Sequence, residues 1–319
     1  MIKVSVILSV FKEPSSYIKK TIKSIISQSL KEIEIIVILD CPKNATAKKL
    51  INSYQKNDNS IIFIQNKTNI GLTQSLNKGI LASKGKYIAR IDTGDIALRS
   101  RLIKQYNILE NDPETFLVGS YAGVINENDQ VIGHIKVPVS QDEINSILPK
   151  KNPFIHSSIM FRGKGRGQGV FYREKFLYSQ DYDLYLRLLS LNKKMINIPR
   201  ELITYRYSSI SISFKKKTEQ NFFAQMARKF YKQRLKHGVD SYQEFNFKQV
   251  QPKKKHPANP SFSSVFFMLK IGNFSEAKKI FDRMNGQEKK SILGILTWLM
   301  TSKPSFYNYY RRFFSYYGF

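Results

Sequence analysis

Cysteine is almost missing from this chain: Cys41 is the only one in 319 residues, which excludes an intramolecular disulfide and the small stapled scaffolds that depend on one. No Cys/His cluster has zinc-ligand spacing, so a structural zinc site is excluded too. A reducing cytoplasm suits this composition. No apolar run approaches the roughly 20 residues of a membrane-spanning helix; the longest late run, SILGILTWLM (Ser291 to Met300), is half that. The opening MIKVSVILSV meets Lys12 soon after and has no small-residue cleavage site, so it reads as a first strand and not as a signal peptide. Acidic residues are scarce as well, 24 against 52 Lys and Arg, for a formal charge of +28. The surplus calls for an anionic partner: nucleic acid, an anionic lipid surface or a phosphorylated substrate. A lysine-rich background composition is the plain alternative. The excess is uneven. Residues 1–200 hold 30 basic and 17 acidic side chains, whereas 201–319 hold 22 and 7.

What is present is enough for a packed core. At 42% hydrophobic and 13% aromatic, the chain can form one large domain, or one domain with an appendage. The first hundred residues alternate by period. VSVILSV, IEIIVILD, SIIFIQ and YIARID read as strands. SSYIKKTIKSIISQS, with Ile18, Ile22, Ile25 and Ile26 at helical spacing and Ser15 or Ser16 as cap, reads as a helix, as do ATAKKLINSYQKN and GLTQSLNKGILASKG, the last closed by Gly85. Strands apolar on both faces, separated by helices, predict an α/β fold with a mostly parallel sheet flanked by helices. A further helix follows Arg101, and FLVGSYAGVI and QVIGHIKVP read as later strands. The basic RGKGRGQG (Arg162 to Gly169) lacks the Gly-Lys-Ser/Thr ending of a P-loop and reads as a surface loop. From Lys215 the pattern is helical. The expected division is a domain at 1–214 and a helical, basic and aromatic region at 215–319, with a Pro/Lys linker at 248–260.

Ligands of open parallel sheets sit beyond the carboxyl ends of the strands, and carboxylates collect there. Asp40 ends the second strand. Arg90, Asp92, Thr93, Gly94 and Asp95 end the fourth in RIDTGD, one carboxylate more than a turn needs. Downstream, Asp181 opens a helix in SQDYDLYLRLL. Such a crevice can hold a ribose, a divalent cation and a reacting sugar.

Five stretches in order, VSVILSVFKEPSSYIKKTIKSIISQS, IEIIVILD, NIGLTQSLNKGILASKGKYIARIDTGD, FIHSSIMFR and SQDYDLYLRLL, resemble glycosyltransferase family 2, the inverting enzymes of the Rossmann-like GT-A fold. The resemblance covers about residues 3–210. It implies that Val10, Phe11 and Glu13 line the nucleotide base, that Asp40 contacts uracil or ribose, and that Asn69, Arg90 and Asp92 serve the donor. Plainer readings stand beside these: Asp40 as a turn initiator, Glu13 as a helix-start acid, and Asn69 with Gly71 as the lead into a helix. The family motif is Asp-x-Asp, often with a further Asp, and its third position commonly touches a divalent cation, Mn or Mg. Here that position is Gly94, leaving Asp92 and Asp95 as the candidate metal ligands and Arg90 or Arg206 to share the charge of the diphosphate. Asp181 is the implied general base and its role is compatible with capping its helix; Gln180 stands where Glu is usual, and Asp183 reads as structural. His156 is an acceptor-side candidate or a satisfied structural residue.

The expectation is therefore an enzyme moving a sugar from a nucleotide-diphosphate donor, a UDP-sugar by preference, to a hydroxyl of a glycan or lipid-linked acceptor in surface polysaccharide or capsule synthesis. It would work in the cytoplasm, held peripherally on the anionic inner face of the membrane by its basic aromatic tail, or with that tail serving as a homodimer element. A nucleic-acid partner is excluded by the absence of any recognised module. A catalytically inactive, glycosyltransferase-like binding subunit is the alternative.

Overall fold

The computed structural model describes residues 1–163, 171–208, 216–247, 260–284 and 292–302, with single positions 286, 289, 305 and 307. The glycine-rich loop, the Pro/Lys linker and the closing aromatic run lie almost wholly outside the described residues.

Strands β1 (Val4–Val10), β2 (Ile33–Leu39), β3 (Ile61–Gln65) and β4 (Tyr87–Asp92) alternate with helices α1 (Ser15–Ile26), α2 (Ala45–Asn57) and α3 (Leu72–Ala82), as the periodicity predicts. All four strands are parallel, with β1 between β2 and β4 and β3 outside β2. Every residue of β2 is buried, because helices cover both faces of the sheet. On α1, Ile18, Ile22 and Ile25 are buried against it, each contributing roughly 1.5–3 kcal/mol. Pro14, not a serine, occupies the cap position of α1, and no side chain caps that helix.

Gly85 does not close α3, which ends at Ala82. Its place is set by packing: a Cβ there would lie 2.5 Å from the Ser5 backbone nitrogen. The Gly85 N–H donates to Ser5 Oγ at 2.8 Å, and Ser5 Oγ in turn donates to the buried Glu34 carboxylate. That clamp feeds the chain into β4.

The second half completes the sheet. In chain order come β5 (Ile96–Ala97), α4 (Arg101–Asn111), β6 (Thr115–Ile125), β7 (Val131–Ile135), α5 (Gln141–Ile147), a 3-10 turn at His156–Ser158, β8 (Met160–Arg162), α6 (Gln180–Ser190), β9 (Lys194–Arg206), α7 (Lys217–His237), α8 (Pro260–Lys270), α9 (Phe274–Asp282) and α10 (Ile292–Ser302). Strand order is β3-β2-β1-β4-β8-β6-β9-β5, with β7 paired to β6. Strand β8 is antiparallel to both β4 and β6. Strands β5 and β8 are too short to show a period, and Pro199 interrupts the pattern of β9.

The chain divides into two compact units. The first takes residues 1–122, 136–205 and 223–249 and holds the parallel strands; the second takes 123–135, 206–222 and 250–319. Within the second, Tyr207 stacks on Phe267 at 4.9 Å, and Asn273 Nδ2 donates to the Ile132 carbonyl at 3.0 Å. Arg206, the residue expected to share the diphosphate charge, also belongs to this unit, where its guanidinium pairs with Asp129 and donates to the Asn126 carbonyl at 2.8 Å. Among the described residues no helix is long and apolar enough to cross a membrane.

Candidate active site

Register brings the ends of β2, β1 and β4 out side by side, with Val10 beside Leu39 and Ser9 beside Asp92. Neighbouring parallel strands are about 4.8 Å apart, so the residues that follow them share one crevice edge. Val10 itself does not line it. Its side chain is fully buried in the core, and its carbonyl accepts the Asp40 N–H at 2.8 Å. Phe11 and Glu13 do lie at the strand end, tied together by the Phe11 N–H donating to Glu13 Oε2 at 2.7 Å. Burial pushes the Glu13 carboxyl up, and the negative charge of Asp92 adds to the shift. Asp40 is buried, and both its oxygens are engaged: Oδ1 accepts from Asn66 Nδ2 at 2.8 Å and the Ile70 N–H at 2.9 Å, Oδ2 from the Gly71 N–H at 2.8 Å. It thus holds the loop that leads into α3. Asn69 is exposed on that loop and accepts from the same Gly71 N–H at 3.0 Å.

Side chains alternate along a strand, so Arg90 and Asp92 share a face of β4. They form a bidentate ion pair, with Arg90 Nη1 on one oxygen and Nη2 on the other. The guanidinium is 3% exposed and the Asp92 side chain 44%. The chain then turns at Gly94, where φ is +105°, a left-handed value that favours glycine. Thr93 Oγ1 donates to the Ser9 carbonyl at 2.8 Å, and Thr21 Oγ1 both accepts from the Gly94 N–H and donates to the Asp95 carbonyl. Asp95 is turned inward, 3% exposed, where its charge opposes the buried Arg101. Burial pushes the Arg101 guanidinium down to about 9. Arg101 Nη2 donates to the carbonyls of Arg90 (2.7 Å) and Ile159 (3.2 Å), locking β4 to the segment before β8.

Because β8 runs antiparallel to β4, the turn at His156–Ser158 lies beside the motif; Ser157 Oγ accepts the Asp92 N–H at 2.9 Å. His156 Nε2 is 2.8 Å from the Tyr172 hydroxyl. Burial, and then the Arg90 charge, hold its pKa well below the usual value, so it is a neutral imidazole at physiological pH. Asp181 stands in the first turn of α6, after Ser179 in a left-handed conformation. Its Oδ2 accepts from Asn152 Nδ2 at 2.8 Å. Burial pushes the Asp181 carboxyl up, against the opposing pull of the Tyr182 amide, the Arg90 guanidinium and Asn152. Asp183 is structural, as expected, fully buried and paired to Arg187 at 3.0 Å. Within the first unit the Arg90–Asp92 pair is thus linked by charge to Glu13, His156 and Asp181, and Phe11 is tied to Glu13. Asn152, Ser157 and Tyr172 were missed because single polar residues in irregular segments carry no period.

A model of glycosyl transferase family 2 matches residues 5–166, just over half of the chain. The chain belongs to this family. An uncharacterised glycosyltransferase of Methanocaldococcus jannaschii is 37% identical over 204 residues, 64% of this chain and 70% of that one. The O-antigen biosynthesis glycosyltransferase WbnJ of Escherichia coli is 35% identical over 212 residues, 64% and 79% of the two chains. Residues 1–349 of S. aureus TarS, solved in complex with UDP, share the fold with a TM-score of 0.53 at 14% identity, over 95% of this chain and 82% of that one. The protein is a glycosyltransferase of GT-A fold.

The donor set of this family 2 enzyme suits a divalent cation poorly. Gly94 offers no side chain, Asp92 already has a guanidinium on both oxygens, and Asp95 is buried, with its charge acting on the buried Arg101 and Arg90. Among the described residues no group of three or more His, Cys, Asp or Glu side chains is arranged to hold a metal ion.

Proposed function

We propose that this glycosyltransferase transfers one sugar with inversion from a nucleotide-diphosphate sugar, a UDP-sugar by preference, to a hydroxyl of a polysaccharide or lipid-linked acceptor. The observation that carries the reading is Asp181: one carboxylate, oriented by Asn152 at 2.8 Å, in the same electrostatic environment as the Arg90–Asp92 pair. An inverting displacement needs one such base. The acceptor oxygen attacks the anomeric carbon as its proton passes to Asp181; the bond from that carbon to the phosphate oxygen breaks, and its electron pair leaves with the nucleoside diphosphate. Phe11 and the loop held by Asp40 border the base, Asn69 stands at that loop's rim, Asp92 accepts from donor hydroxyls, and neutral His156 is on the acceptor side. The naming of WbnJ for O-antigen synthesis and of the TarS complex for UDP supports the substrate classes.

The experiment is a panel of nucleotide sugars with lipid-linked and glycan acceptors, read by nucleoside diphosphate release and by the anomeric configuration of the product. Asp181→Asn should still bind the nucleotide and lose roughly two to four orders of magnitude in transfer. Near-full activity in that variant, or retained configuration, sinks the reading.

A further inference from the structure

The cation-poor donor set has a counterpart in the same motif. Arg90 carries five N–H donors, and the pair with Asp92 engages two of them. Its Nε is buried without a hydrogen-bond partner. An orphaned donor on a buried guanidinium is costly unless something supplies an acceptor. The charge of this group acts on His156, Tyr172 and Asp181. A single positive charge thus sits at the centre of the site, in bidentate contact with the carboxylate that a divalent cation would otherwise need.

We propose that this enzyme binds and uses its donor without a divalent cation, the Arg90 guanidinium supplying the positive charge for the donor diphosphate. The inference rests on the nucleotide-sugar reading above. Arg90 acts in two ways. It cancels the Asp92 charge, which would otherwise repel the diphosphate, and, although the guanidinium is 3% exposed and its Nε buried, its positive field acts on the side chains around the donor site. Arginine suits this task because its fork matches both carboxylate and phosphate and stays charged when buried. Asp92 is left as a hydrogen-bond acceptor for donor hydroxyls. The covalent step is unchanged, and no further reactant enters it.

The test is calorimetric titration of the full chain with UDP, GDP, CDP and dTDP, once in chelator and once with manganese. The expected result is that the nucleotide that binds does so with affinities within about threefold in the two buffers, a difference under ~0.7 kcal/mol. Transfer from the corresponding nucleotide sugar should persist in chelator. Binding that appears only with manganese overturns this inference and leaves the nucleotide-sugar reading intact; no binding of any of the four in either buffer overturns both. Arg90→Met should lose at least about tenfold in chelator and recover part of it with manganese, since the released Asp92 becomes available to a cation. Should that variant fail to fold, Asp92→Asn decides. It keeps the shape and an acceptor oxygen but removes the opposing charge, so UDP affinity in chelator should hold or rise. A loss of tenfold or more, in manganese but not in chelator, would make Asp92 a metal ligand and refute the proposal.

Discussion

Asn152 offers the sharpest handle on the chemistry, because its side chain does two separable things. Its Nδ2 donates to Asp181 Oδ2 at 2.8 Å, and its Oδ1 accepts the Phe154 N–H at 3.0 Å. Asn152→Asp keeps the second contact, removes the first and places a like charge beside the base. A hydrogen bond to a charged group is worth about 1.5–3 kcal/mol, so loss of orientation alone predicts a drop in kcat/KM of about ten- to a hundredfold. The pH profile carries the distinguishing sign. As the proposed base, Asp181 must be ionised to act; burial already pushes its carboxyl up, and Asn152 is one of the groups that pull it down. Removing that donor raises the pKa further, so the acid limb of the kcat/KM profile moves to higher pH. Asn152→Ala should move it in the same direction by less, having lost the donor without gaining a charge. The assay is nucleoside diphosphate release measured across the acid range for the parent and both variants. An unmoved limb in Asn152→Asp, or a limb that shifts to lower pH, would refute the assignment of Asp181 as the base that Asn152 orients.

Two other outcomes follow from packing and charge. Gly85→Ala would place a Cβ 2.5 Å from the Ser5 nitrogen, against backbone that cannot swing away; overpacking of this kind costs about 1–3 kcal/mol, to be read as a lower urea midpoint with unchanged nucleotide affinity below the transition, and an unshifted midpoint would contradict the close approach of β1 and the β4 turn. The full chain, whose residues 201–319 hold 22 basic against 7 acidic side chains and whose Trp298 is 47% exposed on α10, should sediment with vesicles of anionic lipid at low salt and be released at high salt, because the attraction is screened. Trp298→Ala should weaken that binding, and a full chain that ignores anionic vesicles at low salt would make the tail a packing or dimerisation element.

The alternating fold was legible in the sequence because each element declares its own period: VSVILSV, IEIIVILD and YIARID are apolar on both faces, and α1 repeats its isoleucines along one stripe. The strand-end carboxylates were legible for the same reason, since a strand that stops at Asp40 or Asp92 puts that residue at the sheet's carboxyl edge. Asp181 was legible from its local pattern at a helix start. Tertiary structure decided what each carboxylate does. Sequence places Asp92 and Asp95 three residues apart as equals, but the left-handed turn at Gly94 sends one outward onto Arg90 and the other inward toward Arg101. Asp40 sits where a base contact was expected, yet three donors from a loop some thirty residues later claim its oxygens. Asn152 reaches Asp181 across 29 residues of chain, through the antiparallel return of β8 that three residues of strand could not announce. A sequence records which groups are available along the chain, whereas their charge state and partners depend on neighbours brought close by long-range packing, and in this protein those neighbours commit Asp40 to its loop and Asp183 to Arg187, pair Asp92 with Arg90 and set Asn152 on Asp181.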